Sequence, residues 1–72
     1  MSFSNLLTAD QKKQILESRI TGWAQNIYDQ EVLKEALLAS NPNANTEVPD
    51  NLIKELSEAV ESAQKALMEI EA

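Results

Sequence analysis

Residues 49–70 read PDNLIKELSEAVESAQKALMEI and carry the most regular pattern in this 72-residue chain. Apolar side chains recur there at alternating steps of three and four residues, at Ile53, Leu56, Val60, Ala63, Leu67 and Ile70. That spacing is typical of a helix that packs along a seam against another helix. Leu52, Ala59 and Ala66 widen the apolar face, as in a helical bundle. Pro49 suits a first helical turn, and Asp50 complements the positive end of the helix dipole, so we expect a helix at about 49–70.

A longer helix is predicted before it, at about 9–39. Thr8 and Gln11 have the spacing of a capping box, in which each side chain bonds to the backbone N–H of the other. Gly22 is the one residue of this segment that disfavours a helix, by about 1 kcal/mol relative to alanine. The sequence therefore predicts a helix of roughly 46 Å at 1.5 Å per residue.

The apolar stripe of this first helix changes direction halfway along. It begins at steps of four, three and four, with Leu16, Ile20, Trp23 and Ile27. Gln30 and Lys34 then occupy its next positions, while apolar residues move around the helix to Val32 and Leu33. The helix either bends or breaks near residues 28–31, or it stays straight and contacts different partners along its two halves. We favour the straight helix, because no proline or glycine marks a kink there.

Residues 40–48 form the predicted loop, since Pro42 and three asparagines favour turns. A short loop between two amphipathic helices predicts an antiparallel hairpin, so the chain is expected to be one all-α domain over residues 1–72. Placing Ala39 beside Asp50 sets Leu33 near Leu56 and Trp23 near Ala66. Large side chains would then face small ones, as in well-packed cores.

A hairpin of this size has little core of its own, and without Cys or His it lacks a disulfide or a typical metal site. We therefore expect self-association, with an antiparallel dimer forming a four-helix bundle, or docking on a heterologous protein. The candidate interface consists of apolar residues left uncovered by the hairpin: Phe3, Leu6, Leu7, Ile15, Leu16 and Val32. Alternatively, the N-terminal segment folds back over the open end or frays.

The residue types argue against enzyme chemistry. No histidine is present to activate a serine, and one glycine cannot build a phosphate-binding loop. Glu55, Glu58 and Glu61 lie on neighbouring turns and form a candidate acidic face, which as a solvated surface has no reason to act as an acid–base pair or metal site. We expect no catalytic residue, cofactor or metal.

Charge and hydropathy limit the partners. Residues 1–46 carry five acids and four bases, whereas residues 47–72 carry seven acids and two bases. Without clustered Lys and Arg, direct nucleic-acid binding is not expected. No apolar run has the length of a membrane span, and no signal-peptide pattern opens the chain, so we expect a cytoplasmic protein without membrane contact.

The first half of the chain also resembles a protein group. The residues that carry the resemblance are Leu7-Thr8-Ala9-Asp10-Gln11-Lys12, Leu16-Glu17-Ser18-Arg19-Ile20, and Tyr28 with Glu31. They look like the opening of small, uncharacterised helical proteins of contractile-tailed phages that infect marine cyanobacteria. The resemblance implies a viral origin, with a place in the host cytoplasm or the virion, and it implies no activity and no site residue.

Two classes of function follow from the sequence. The first is an assembly protein that acts through apolar helix faces, in a homo-oligomer or on a larger complex. The second is an inhibitor or adaptor that presents its acidic C-terminal helix to a basic surface of a host protein.

Overall fold

The structure is a computed structural model that describes residues 3–71, apart from the side chain of Ser4. A short 3₁₀ turn, Phe3–Leu6, precedes two α-helices, α1 at Ala9–Ser40 and α2 at Glu47–Glu71. The helices pack against each other as a hairpin measuring 51 × 20 × 19 Å. The predicted all-α hairpin is confirmed. The loop is shorter than predicted, at residues 41–46, because α2 begins two residues before Pro49.

The start of α1 has the capping box that the sequence predicts. The Gln11 backbone N–H donates to Thr8 Oγ1 at 3.1 Å, and the Thr8 backbone N–H donates to Gln11 Oε1 at 2.9 Å. Both amides would otherwise lack a partner at the helix terminus. From there α1 runs unbroken to Ser40, so the alternative with a break near residues 28–31 is wrong.

Asparagine side chains shape the loop. Asn41 Oδ1 accepts from the Asn43 backbone N–H at 3.0 Å, and Asn45 Oδ1 accepts from the Glu47 backbone N–H at 2.9 Å. These bonds mimic turns of the backbone, which is why asparagine is favoured in such segments. The Asn41 backbone N–H also donates to the Leu37 carbonyl, which closes the last turn of α1.

The start of α2 combines a proline with a side-chain hydrogen bond. Pro49 is the third residue of the helix, where an N–H has no intrahelical partner, so its missing donor removes no helical bond. The Asp50 N–H donates to the Thr46 carbonyl at 2.9 Å, and Thr46 Oγ1 donates to Asp50 Oδ2 at 2.9 Å. Asp50 is thereby held at the first turn of α2.

One stripe of α1 faces α2 along the whole helix, including its polar positions. Its members are partly or well covered and continue the steps of three and four without interruption: Lys13, Leu16, Ile20, Trp23, Ile27, Gln30, Lys34 and Leu37. The apolar residues that depart from the stripe stay exposed, Leu33 at 45 % and Val32 at 46 %. The straight helix therefore presents one face to α2 and leaves the other apolar residues uncovered.

Two ion pairs define the register of the hairpin. Lys34 Nζ lies 2.8 Å from Asp50 Oδ1, and Lys13 Nζ lies 3.1 Å from Glu71 Oε1. The lysines at 13 and 34 have the same separation as the acids at 50 and 71, so both pairs describe one antiparallel register. The sequence placed Asp50 beside Ala39 instead of Lys34. That prediction differs from the ion pairs by five residues, or about 7.5 Å at 1.5 Å per residue, and Trp23 is level with about residue 61 rather than with Ala66.

The core of the hairpin is thin. Within the described part of the chain, the buried residues are Pro49 and Ala63, and Ala63 is 6 % exposed. The predicted seam residues Ile53, Leu56, Val60 and Leu67 are only half-buried. Phe3 and Leu6 are each 79 % exposed, so residues 3–6 do not fold back over the open end. Two helices alone leave even their facing stripes partly open.

Gln30 places a polar side chain in the inward stripe of α1. Its Oε1 is shielded from solvent and has no hydrogen-bond partner. Gln30→Leu should raise the free energy of unfolding by about 1–2 kcal/mol, since it removes an unsatisfied oxygen and adds apolar contact. Urea unfolding at a fixed protein concentration measures the change.

Gln25→Leu is the matched control, because Gln25 is an exposed residue of the same helix. It should change the free energy of unfolding by less than about 0.5 kcal/mol. Equal effects of the two variants would show that the Gln30 side chain is not confined between the helices.

Candidate interaction surfaces

The hairpin has two long sides, one on each flank of the seam. In an antiparallel helix pair, residues beside the inward stripe of one helix lie next to residues beside the inward stripe of the other. This happens on both sides of the seam and gives the hairpin two flanks. One flank, here called the ion-pair side, carries Glu17, Ala24, Glu31, Leu38, Asp50, Ser57, Gln64 and Glu71. The other, here called the apolar side, carries Lys12, Arg19, Asn26, Leu33, Leu52, Ala59 and Ala66, with Ile15 at its outer edge.

The ion-pair side is acidic and holds both ion pairs. Asp50 accepts bonds from Lys34 and from the Thr46 hydroxyl, and these bonds hold the pKa of its carboxyl below the usual value. Glu71 accepts from Lys13 and raises the pKa of that ammonium group. Exposed pairs of this kind contribute little to stability, so they mark the register of the hairpin without being its main cause.

The apolar side has a different shape at its two ends. Toward the open end of the hairpin, an open groove of mixed lining runs along α1. Its lining combines Leu7, Ile15, Gly22 and Trp23 with the polar residues Gln11, Gln14, Ser18, Arg19 and Asn26. No heavy atom of another side chain or of α2 lies within 4 Å of where a Cβ on Gly22 would stand, so this stretch of backbone is accessible. Toward the loop end, Leu33 and Leu52 project instead, 45 % and 38 % exposed. One flank thus carries both a groove and a ridge.

The six residues of the predicted interface do not share one surface. Leu7 and Ile15 line the groove, whereas Leu16 belongs to the inward stripe and is half-buried. Val32 lies on the side of α1 that faces away from α2, and Phe3 and Leu6 are exposed in the 3₁₀ turn. The predicted interface did not include Leu33 and Leu52, which are also exposed on the apolar side. The sequence did indicate that Leu33 departs from the inward stripe, but nothing in it indicated that Leu52 stays exposed.

The candidate acidic face lies on the outer surface of α2. Glu55, Glu58 and Glu61 are all exposed and occupy positions away from α1. Within residues 3–71, no group of three or more acidic side chains is arranged to hold a metal ion. Across the same residues, neither helix combines the length and apolarity needed to cross a membrane.

No protein family matches this chain, and neither does any curated protein or any solved structure. The surfaces of the hairpin are therefore the basis for a functional proposal.

The lowered pKa of Asp50 predicts how the stability of the hairpin depends on pH in acid. Because the folded-state pKa lies below the unfolded value of about 3.9, the carboxylate stabilises the hairpin above that pH. The contribution should fade as the pH falls through the folded-state pKa. NMR titration of the side-chain carboxyl carbon should place Asp50 below its usual pKa, and Lys34→Met should move it back toward that value.

Lys12→Met is the matched control, because Lys12 is a lysine of the same helix that takes part in neither ion pair. Lys34→Met should shift the pKa of Asp50 more than Lys12→Met does. Equal shifts of the Asp50 pKa in the two variants would indicate a general charge effect and contradict the direct pair.

Proposed function

We propose that this chain is a small, non-enzymatic assembly protein that acts by covering its apolar helix surface with another copy of itself. The observation that carries the proposal is the excess of exposed surface. The chain exposes 5684 Å², whereas a compact folded protein of its 8.0 kDa mass exposes about 4,450 Å². The excess is about 1,200 Å² per chain.

The shape of the hairpin supports the same proposal. Its radius of gyration is 16.3 Å, against about 11 Å for a compact domain of 72 residues. The exposed large apolar side chains occur on both helices and in the N-terminal turn, and include Ile15, Leu33, Leu52, Val48 and Met68. Packing a second hairpin alongside would bring the surface closer to that of a compact domain.

A non-enzymatic role rests on the residues themselves. The chain has no histidine or cysteine, and the acids of α2 lie on an open surface. In the proposal the protein acts in the cytoplasm, or in a virion if the resemblance to cyanophage proteins reflects its origin. Association without any bound group is sufficient for such a role.

The alternative proposal is an inhibitor or adaptor that binds a basic surface of a host protein. It is favoured by the exposed row of Glu55, Glu58 and Glu61, in a C-terminal region that holds seven of the twelve acids. Such binding should weaken as salt rises, since exposed charges are screened within about 8–10 Å at physiological ionic strength.

A triple variant tests the acidic face. Glu55→Gln, Glu58→Gln and Glu61→Gln together should abolish capture of a partner from an extract of the native host, if the adaptor proposal is right. Changing Glu17, Glu31 and Glu35 to Gln alters the net charge equally on α1 and should leave capture unchanged. Loss of capture in both variants would point to net charge rather than to this face.

Self-association is tested by sedimentation equilibrium at micromolar protein. We expect a dimer, with a melting temperature that rises with protein concentration because association stabilises the folded chain. A monomer at every concentration, with a constant melting temperature, would contradict the assembly proposal.

A further inference from the structure

We infer that the apolar side of the hairpin is the dimer interface, and that its occupant is a second copy of this chain docked antiparallel about a two-fold axis. The inference rests on the proposed self-association and specifies its surface and geometry. It follows from the shape, the charge and the area of this side.

The shape of the apolar side is self-complementary. The groove runs from Ile15 to Gly22 and Trp23, close to the middle of α1, and Leu33 lies about as far beyond the middle as Ile15 lies before it. The register marked by Lys34 and Asp50 makes Leu52 level with residue 32 of α1. A two-fold rotation that reverses the helices about the middle of α1 sets α1 against α1 and α2 against α2 of the second copy. It therefore brings Leu33 of each copy over the groove of the other, and it brings Leu52 level with Ala66 and Leu67 of the second copy. A two-fold interface uses the same patch on both copies, so that patch must be complementary to itself.

The same rotation also pairs opposite charges. Arg19 lines the groove and takes part in neither ion pair of the described residues. Asp29, seven residues after Gly22, lies on the same side of α1, is exposed and takes part in neither ion pair. Arg19 and Asp29 lie at about equal distances from the middle of α1. Because the rotation sets α1 against α1, each Arg19 comes level with Asp29 of the second copy. Complementary charges of this kind set register and orientation more than affinity.

Charge also rules out the opposite flank as the self-docking surface. The ion-pair side carries Glu17, Glu31, Asp50 and Glu71, and its two lysines are already paired with two of these acids. Two such sides in contact would bring like charges together, which costs several kcal/mol. The apolar side has small residues at its centre, where Ala59 is level with residue 25, so two copies can approach closely.

The area available fits a stable dimer. The excess of about 1,200 Å² per chain amounts to about 2,400 Å² for two chains, which lies in the range of permanent homodimer interfaces. A crystal-packing contact buries mostly less than about 800 Å². The hairpin therefore has enough surplus surface for one such interface.

Two adjacent residues of equal exposure test the surface. Leu33 lies on the apolar side and Val32 on the far side of α1, and they are 45 % and 46 % exposed. By sedimentation equilibrium, Leu33→Glu should raise the dimer dissociation constant at least about tenfold, while Val32→Glu should change it less than about twofold. Circular dichroism checks that both variants keep their helices.

Cysteine cross-linking tests the antiparallel geometry in a chain that has no native cysteine. Under mild oxidation, a mixture of Ile15→Cys and Leu33→Cys proteins should form mainly the mixed disulfide, because disulfides require Cα atoms within about 7 Å. Residues 15 of the two copies would lie roughly 28 Å apart at 1.5 Å per residue. Predominance of either symmetric disulfide would overturn the antiparallel arrangement.

The outcomes separate this inference from the proposal beneath it. A dimer that dissociates with Val32→Glu and tolerates Leu33→Glu would overturn the apolar side as the interface and leave self-association intact. A chain that remains monomeric throughout would overturn both.

Discussion

Two helices share a single line of contact, and this constraint determines most of what the structure shows. Each helix can bury one stripe against the other, and the remaining surface faces outward. In this chain most residues of the facing stripes are only half-buried, and Pro49 and Ala63 are the buried residues of the described part of the chain. A third or fourth helix is what turns such a stripe into a core in bundles of this class. The excess surface, the exposed leucines and the elongated shape are all consequences of having only two.

Local features of the fold were predictable from the sequence, because their causes are local. The capping box at Thr8 and Gln11 and the asparagine-rich loop involve residues close together in the chain. The helix at Glu47–Glu71 was predicted within two residues from its spacing of three and four and from Pro49 and Asp50 at its start. Each of these features depends on backbone geometry over one or two turns, which a single sequence records well.

The register and the candidate surface were less predictable, because they depend on residues far apart in the chain. Matching Trp23 to alanines was sterically sensible, but it gave no role to Lys34 and Lys13, which pair with Asp50 and Glu71. Gln30 and Lys34 resembled an end to the stripe, yet long polar side chains can lie along a seam with their ends toward solvent. The flank that carries Leu33 and Leu52 could be recognised only once the register was known.

The loop has a consequence for how this chain can change over time. In the described residues no backbone position has a positive φ, so no part of the turn between the helices depends on glycine. Its shape relies on side-chain acceptors at Asn41 and Asn45, a role that aspartate or serine also fills. Substitutions can therefore accumulate between the helices without altering their pairing. Sequence drift in this segment would make relatives hard to recognise there, while the spacing in α2 and the charge pairs would remain the better guides to common descent.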